Sequence, residues 1–419
     1  MRHIRGLNAT GKESGQIFVL FALLLPLLLL FVGFGIDFGF GFLTKAELAK
    51  ATDAVALAVM RNLGRGEAQA TAIGENLFAL NYNAKWGLNA SAPSVSITYS
   101  SDSYGEPIVN VSATATIKTF FIRLAGFNTL TIADSSQATR PPVILSLVLD
   151  KSGSMNYNGG AQALPSSVQD FLGYFIEGTD RLGEISFSSI ATEDVAISQT
   201  FQTPITNSVR RLVFGGATFA QAGLQDAQTQ VTGVSSPPPN AVEVVVFFTD
   251  GWANTNQDTL SCGGGGGRGG RGGGGTLVNY GGCSPVEQAV GWCGGVSFLS
   301  PTNGNTVSCN ASSFPDQLTG NPNEPLGQSI TTETNISNDA MYRTEQLANQ
   351  MRTQGITVYS IGLGDKINQT YLQEVANDPA SPQYDPGEPS GIAAFAPTAS
   401  DLDTVFQTVA SKILLRLTQ

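Results

Sequence analysis

The sequence predicts an α/β architecture, a mostly parallel central sheet with helices on both faces, preceded by an N-terminal transmembrane helix and a small α+β region. Three observations predict it. Short apolar runs rich in branched residues, such as Val143–Leu149 and Val242–Thr249, end abruptly in turn residues, as strands buried on both faces do. Helical stretches alternate with these runs from residue 143 onward, the pattern of a largely parallel sheet. Far upstream, GQIFVLFALLLPLLLLFVGFGI (Gly15–Ile36) carries no charge over more than ~18 positions, enough to cross a bilayer as a helix.

The chain has 419 residues, room for two or three domains. Hydrophobic residues make up 42% and charged residues 13%, so most of it should fold. A net charge of −11 argues against nucleic acid as the main partner, since phosphate binding needs a basic surface. The single histidine, His3, lies in the N-terminal tail. Ser-His-Asp catalysis and ordinary zinc hydrolysis, which need a histidine in a folded domain, are thereby excluded.

In chain order, residues 1–14 form a tail with Arg2, Arg5 and Lys12 against one acid, Glu13. The apolar run is longer than the core of a signal peptide, and no clear cleavage site follows it, which favours a retained anchor over 15–42. The basic tail keeps the N-terminus in the cytoplasm and sends the rest across. Pro26 is tolerated in such a helix, and Asp37 falls at its outer edge, either functional or simply at headgroup level. Leu43–Leu63 is alanine-rich, with an apolar stripe through Val55 and Val59, and reads as the same helix continuing. Its small residues suit either association with another helix or packing on the protein's own body.

Glu67–Leu80 is a second helix. Ser94–Tyr99 and Ile108–Ile117 alternate like half-buried strands, Lys118–Gly126 reads as a short amphipathic helix, and Leu130–Ala138 as a third strand. Residues 43–140 are thus a helical stalk and small α+β region, closed by the stiff Arg140-Pro141-Pro142. In the α/β domain over 141–419, strands are expected at Val143–Asp150, Gly183–Ser188, Val195–Phe201, Val242–Thr249, Ile356–Gly362 and Ala393–Ala396. Helices are expected near Pro165–Ile176, Phe219–Val231, Asp339–Thr353, Gln369–Asn377 and Ala399–Leu417.

Three loops carry the chemistry. The first strand ends in Asp150-Lys151-Ser152-Gly153-Ser154, one carboxylate and two hydroxyls on alternate residues. Closely spaced oxygen donors suit a hard cation such as Mg²⁺; the alternative is a helix-capping loop. Thr218 follows Gly215-Gly216-Ala217 just before a helix, and Asp250 ends VVVFFTD. Loops at the carboxyl ends of parallel strands are where open α/β sheets bind ligands.

This constellation resembles the metal-ion-dependent adhesion site (MIDAS) of the von Willebrand factor A domain, a Rossmann-like fold. Its pattern is Asp-x-Ser-x-Ser, then a Thr opening a helix, then an Asp after a central strand. The resemblance implies that Asp150, Ser152, Ser154, Thr218 and Asp250 hold Mg²⁺, with Mn²⁺ and Ca²⁺ left open. It implies a coordination position for a partner's carboxylate, and hence protein binding with no catalytic residue. The front half, through Gly35-Ile36-Asp37, the helix around Ala54–Ala58 and TFFIRLAG, resembles the TadG-like proteins of tight-adherence (Flp) pilus assembly. That implies a single-pass protein of the bacterial inner membrane with its von Willebrand factor A domain periplasmic or extracellular. The function implied is a metal-dependent scaffold that engages an envelope or pilus protein. The alternatives are a purely structural anchor or a surface adhesin with a differently used metal site.

The family's short loop after Asp250 is replaced by an insertion over about 252–338. It contains Gly263–Gly275 and all four cysteines, Cys262, Cys283, Cys293 and Cys309. These lack close Cys-x₂-Cys pairs, and an exported location favours two disulfides over zinc, with three pairings open. Leaving from Asp250, the insertion is expected to overhang the metal face and shape access to it.

Overall fold

The computed structural model describes residues 14–82, 91–103, 105–258, 287–292, 295–299, 306–308, 314–315, 329–330 and 333–417. The basic tail, the glycine run and all four cysteines lie outside the described residues. The chain divides into two compact units, one of Met1–Met60, Ala68–Ser100 and Ile108–Ala138, the other of Arg61–Glu67, Ser101–Pro107 and Thr139–Gln419.

The first unit is built on α1, Ser14–Asn62, which runs 49 residues through Pro26 without interruption. Its apolar segment has a mean hydropathy of 2.8 and is almost entirely exposed, long and apolar enough to cross a membrane. Beyond it, exposure changes with helical period. Leu48, Ala51, Val55 and Val59 are buried, as are Ala70 and Phe78 of α2, Glu67–Asn81. The alanine-rich stripe packs within its own unit, with Val55 and Val59 against Gly74 of α2. A three-stranded sheet follows, β1 (Ser94–Ser101), β2 (Pro107–Lys118) and β3 (Thr129–Thr139), with β2 central. Strand β2 alternates strictly: Val109, Val111, Ala113, Ala115 and Ile117 point inward. Thr52 of α1 donates to Asp134 of β3 at 2.9 Å, joining helix to sheet.

The second unit holds a six-stranded sheet. Its strands are β4 (Val143–Asp150), β5 (Arg181–Phe187), β6 (Ala191–Ser198), β7 (Val242–Thr249), and two more after the insertion. Within the insertion lie β8 (Thr255–Asp258), β9 (Glu287–Trp292), β10 (Gly295–Leu299) and β11 (Thr306–Ser308), then the short pair β12 (Phe314–Pro315) and β13 (Ser329–Ile330). The main sheet resumes with β14 (Thr357–Leu363) and β15 (Ala393–Ala396), giving the order β15-β14-β7-β4-β5-β6. All pairs are parallel except β5 with the edge strand β6. Every residue of β4 is buried, as the unbroken apolar run requires. One face is covered by α3 (Gly160–Leu172), α4 (Gln202–Val209) and α8 (Leu402–Leu417), with Phe171, Phe248 and Phe406 at its centre. The other is covered by α5 (Ala220–Thr232), α6 (Glu333–Thr353) and α7 (Gln369–Ala376), around Phe187 and Phe247. The chain leaves β4 to build β5 and β6 on one side, then crosses back to build β7, β14 and β15 on the other. The crevice between β4 and β7 is therefore the switch point where such sheets take ligands.

Several expected elements are corrected. The helix expected from Pro165 begins at Gly160 and carries Pro165 as its sixth residue, past the first turn, at the cost of one i→i−4 hydrogen bond. The strand expected over Val195–Phe201 lies at Ala191–Ser198, and Phe201 opens α4, a short helix with few apolar residues to announce it. Lys118–Gly126 is no amphipathic helix but a hairpin loop with a single 3₁₀ turn, Ile122–Ala125. In the insertion, β11-β10-β9-β8 form a four-stranded antiparallel sheet packed on α6, where the sequence reading placed only loop.

Entry to the second unit is fixed by a buried ion pair. Arg140, 1% exposed, donates to both oxygens of Asp180, 0% exposed. Asp180 also accepts the Val143 N–H at 2.9 Å and the Ile176 N–H at 2.6 Å. Removing one partner of such a pair leaves a buried charge uncompensated. Asp180→Ala is expected to destabilise this unit by about 3–5 kcal/mol, read by urea denaturation of the detergent-solubilised protein. A second buried acid behaves differently. Burial pushes the Glu184 carboxyl up to about 8 from an ordinary 4.5; the Ser208 hydroxyl opposes the shift, Asp194 adds to it and Lys151 opposes it. Between those values the folded state keeps a proton that the unfolded chain releases, so stability falls as pH rises through that window. Glu184→Gln should match the wild type near pH 4 and exceed it at pH 8 in the same denaturation measurement.

Candidate metal centre

The candidate site forms where β4 and β7 end side by side. Register pairs Leu149 with Phe248, so the next residues of both strands meet at one rim. Asp150 is fully buried and is held from two directions. Its Oδ1 accepts the Ser152 N–H at 2.7 Å, and its Oδ2 accepts the Thr249 hydroxyl at 2.7 Å. Ser152 Oγ lies 3.0 Å from Ser154 Oγ, and Ser154 Oγ donates to Asp250 Oδ1 at 2.7 Å. Asp150, Ser152, Ser154 and Asp250 are thus joined in one hydrogen-bonded chain. Ser154 is exposed while its three companions are buried, so the group opens to solvent at that hydroxyl.

Thr218 comes from a separate loop tied to the first by backbone bonds. Gly153 N–H donates to the Gly216 carbonyl at 3.1 Å, and Gly215 N–H to the Lys151 carbonyl at 2.8 Å. Gly216 has φ +88°, and a Cβ there would meet Ser189 Oγ at 2.7 Å, so glycine is required both for backbone and for space. Ser189 Oγ in turn accepts the Ala217 N–H at 3.0 Å. Thr218 is buried, and its N–H donates to Asn254 Oδ1 at 2.8 Å while its carbonyl accepts the Asn254 N–H at 3.1 Å. The segment after Asp250 therefore fixes the Thr218 loop.

Three supporting residues escaped the sequence reading. Asn158 donates to Asp250 Oδ2 at 2.6 Å, and its own Oδ1 accepts the Gly160 N–H at α3. Thr249 and Asn254 hold Asp150 and Thr218. Thr249 and Asn254 flank Asp250 in sequence, which was a usable signal. Asn158 sits in an ordinary-looking Asn-Gly-Gly turn and gave none.

The electrostatics carry the chemical argument. Burial pushes the Asp150 carboxyl up, and the Asp250 charge beside it pushes further, with Ser152 and Thr249 pulling back only in part. Burial also raises Asp250, with Ser154 and Asn158 opposing. Neutral donors alone do not relieve two neighbouring buried acids; a cation does. The donors are oxygens only, two carboxylates and small hydroxyls, which fits a hard divalent ion. Among the described residues no group of three or more His, Cys, Asp or Glu side chains could hold a metal, so any ion here relies on hydroxyls as well.

Residues 15–72 match the profile of the Flp pilus-assembly TadE/G-like family, and residues 145–261 that of the von Willebrand factor type A domain. The chain thus pairs a TadE/G-like segment with a von Willebrand factor type A domain. No curated protein matches it. Among solved structures it is similar to the von Willebrand factor domain of the type V pili tip protein Mfa5 from Porphyromonas gingivalis. Identity there is 13%, covering 67% of this chain and 98% of that one, with a TM-score of 0.40. A variant of the PilB minor pilin from Streptococcus sanguinis matches at 14% identity over 78% of this chain and 79% of that one, TM-score 0.42. Proximal thread matrix protein 1 from the mussel byssus, with a zinc-occupied MIDAS motif, matches at 13% identity over 66% of this chain and 46% of that one, TM-score 0.37. The chain spans less than half the length of the first four solved chains it matches.

A bound cation stabilises the folded state by mass action, about 2.7 kcal/mol at a hundredfold excess over its dissociation constant. In EDTA, Asp150→Asn is expected to raise the melting temperature by removing one of two repelling charges. Millimolar Mg²⁺ should then raise the wild-type melting temperature and leave the variant unchanged.

Proposed function

We propose that this chain is a membrane-anchored, metal-dependent binding and scaffold protein of tight-adherence (Flp) pilus assembly. The observation that carries the reading is the pair of buried acids, Asp150 and Asp250, joined through the Ser152 N–H and the Ser152 and Ser154 hydroxyls. The TadE/G-like match over 15–72 supports the setting, and the exposed apolar part of α1 supports the anchor.

In this reading Asp150, Ser152, Ser154, Thr218 and Asp250 hold Mg²⁺, or Mn²⁺ or Ca²⁺ in its place. The ion supplies an electropositive coordination position that a partner's Asp or Glu completes. The protein's own part is positional. Asn158 and Thr249 orient the two acids, the Gly215–Gly216 turn brings Thr218 to the rim, and exposed Ser154 marks the approach. The site is read as non-catalytic, because the Ser152 and Ser154 hydroxyls are assigned as metal ligands and the one histidine, His3, lies in the tail. The N-terminus is assigned to the cytoplasm and the von Willebrand factor type A domain to the far side of the inner membrane. The insertion is assigned to shaping access, since the chain leading into it passes through Asn254, which holds Thr218.

The test is capture of envelope proteins by the full chain in Mg²⁺ and in EDTA. Wild type in Mg²⁺ should retain a partner at least tenfold better than wild type in EDTA or than Asp150→Ala. Ser154→Ala, which alters one exposed hydroxyl, should weaken capture without unfolding. Equal capture in all conditions would overturn the metal-dependent reading.

A further inference from the structure

The β2–β3 hairpin loop, residues 119–128, has an unusual surface. Phe120 is 47% exposed, Phe121 38%, Leu124 77% and Phe127 65%. Four large apolar side chains on one short loop would be an aggregation hazard in water. Arg123 and Lys118 are its exposed charges.

Its backbone is nevertheless fully engaged at the points that matter. The N–H groups of Phe120, Phe121 and Ile122 open the 3₁₀ turn, where donors are normally left without partners. All three donate to one carboxylate. Phe120 N–H reaches Asp37 Oδ1 at 2.9 Å, and Phe121 and Ile122 N–H reach Oδ2 at 2.8 Å each. Asp37, on α1, is 2% exposed. The N–H groups of Leu124, Gly126 and Phe127 bond within the loop, and that of Thr119 bonds the Asn128 carbonyl. With these donors partnered inside the protein, the loop leaves water at less cost than one whose N–H groups face solvent.

The loop's depth follows from α1. A Cβ on Gly33 would fall 2.3 Å from the Phe121 side chain, so the ring lies directly on the helix at that level. Gly33 precedes Asp37 by one helical turn, about 6 Å toward the apolar run. The Phe120 ring also lies 5.9 Å from Phe40. Around it α1 is exposed and aromatic, with Phe31 at 67%, Phe34 at 47% and Phe38 at 49%. The loop's apolar surface is therefore continuous with that of the span.

We propose that residues 119–128 form a wedge inserted in the lipid leaflet nearest the exported domain, with Phe120, Phe121, Leu124 and Phe127 in hydrocarbon beside α1. Asp37 is the clasp that holds the loop there. Its charge is stabilised by three N–H hydrogen bonds, which lets a carboxylate sit at the rim of the bilayer. Arg123 reaches back to the headgroups. The proposal rests on reading α1 as a membrane span.

The test uses the full chain in vesicles of phosphatidylcholine and phosphatidylglycerol with brominated acyl chains, which quench nearby tryptophan. Leu124→Trp changes an exposed residue, and Phe31→Trp reports on the span itself. The added fluorescence in both variants should be quenched at least twofold more than that of the wild-type tryptophans. Asp37→Ala in the Leu124→Trp background should lose that excess while residue 31 keeps it. Quenching at 31 without quenching at 124 would overturn the wedge and leave the span standing, pointing to a protein partner or a second copy on this surface. Absence of quenching at both positions would overturn span and wedge together.

Discussion

The carboxyl edge of the second unit is governed by the cost of placing two like charges next to each other away from water. Parallel pairing forces the juxtaposition, because β4 and β7 run side by side, β4 ending in Asp150 and β7 leading directly into Asp250. Two unit charges 4 Å apart repel by about 4 kcal/mol in the effective dielectric near a protein surface. The surrounding donors, Ser152 N–H, Thr249, Ser154 and Asn158, orient the acids without cancelling their charge. The rest of the rim serves this arrangement. The Gly216 turn, the Ser189 hydroxyl and Asn254 hold a third loop against it at distances that a side chain on Gly216 would not allow.

Much of this was legible in the sequence because burial leaves a strong mark. β4, β7 and β15 begin and end where their apolar runs do, and the turns after β4 and β7 lie where the chemistry is. A strand covered on both faces has little choice of residue, so its composition betrays it. Elements at the margin were harder to read. β6 is an edge strand with Glu193 and Asp194 exposed, and α4 is eight residues long with two buried apolar positions. Neither carries enough periodicity to fix its limits. Lys118–Gly126 misled for the opposite reason. Its apolar residues mimic a helical face, but Gly126 at φ +95° ends the 3₁₀ turn after Ile122–Ala125. Of the candidate site, the hydrogen-bonded residues Asp150, Ser152, Ser154 and Asp250 were visible by type and spacing, as was Thr218 in the loop bonded to theirs. Asn158, which orients Asp250 from across a turn, was not, because its contribution depends on the fold of α3's entry.

The second unit manages buried acids in three distinct ways. Asp180 is matched by Arg140 and by backbone donors, which fixes the entry of β4. Glu184 sits under α4 with its carboxyl pushed toward the neutral form. Asp150 and Asp250 are only partly relieved. Ion-paired, protonated and partly relieved acids are thus distinguished by their neighbours and not by residue type.

The unbroken course of α1 has a mechanical consequence. From Phe38 to Asn62 the helix extends roughly 36 Å past the apolar run without a joint. Membrane helices lean on average by about 20° from the bilayer normal, by an amount that answers to local thickness. Such a lean would carry the far end of α1 about 12 Å sideways, and α2 and β3, packed along it, would travel with it. With α1 across a membrane, a change in bilayer thickness would thereby be amplified, as by a lever, into lateral travel of the three-stranded sheet.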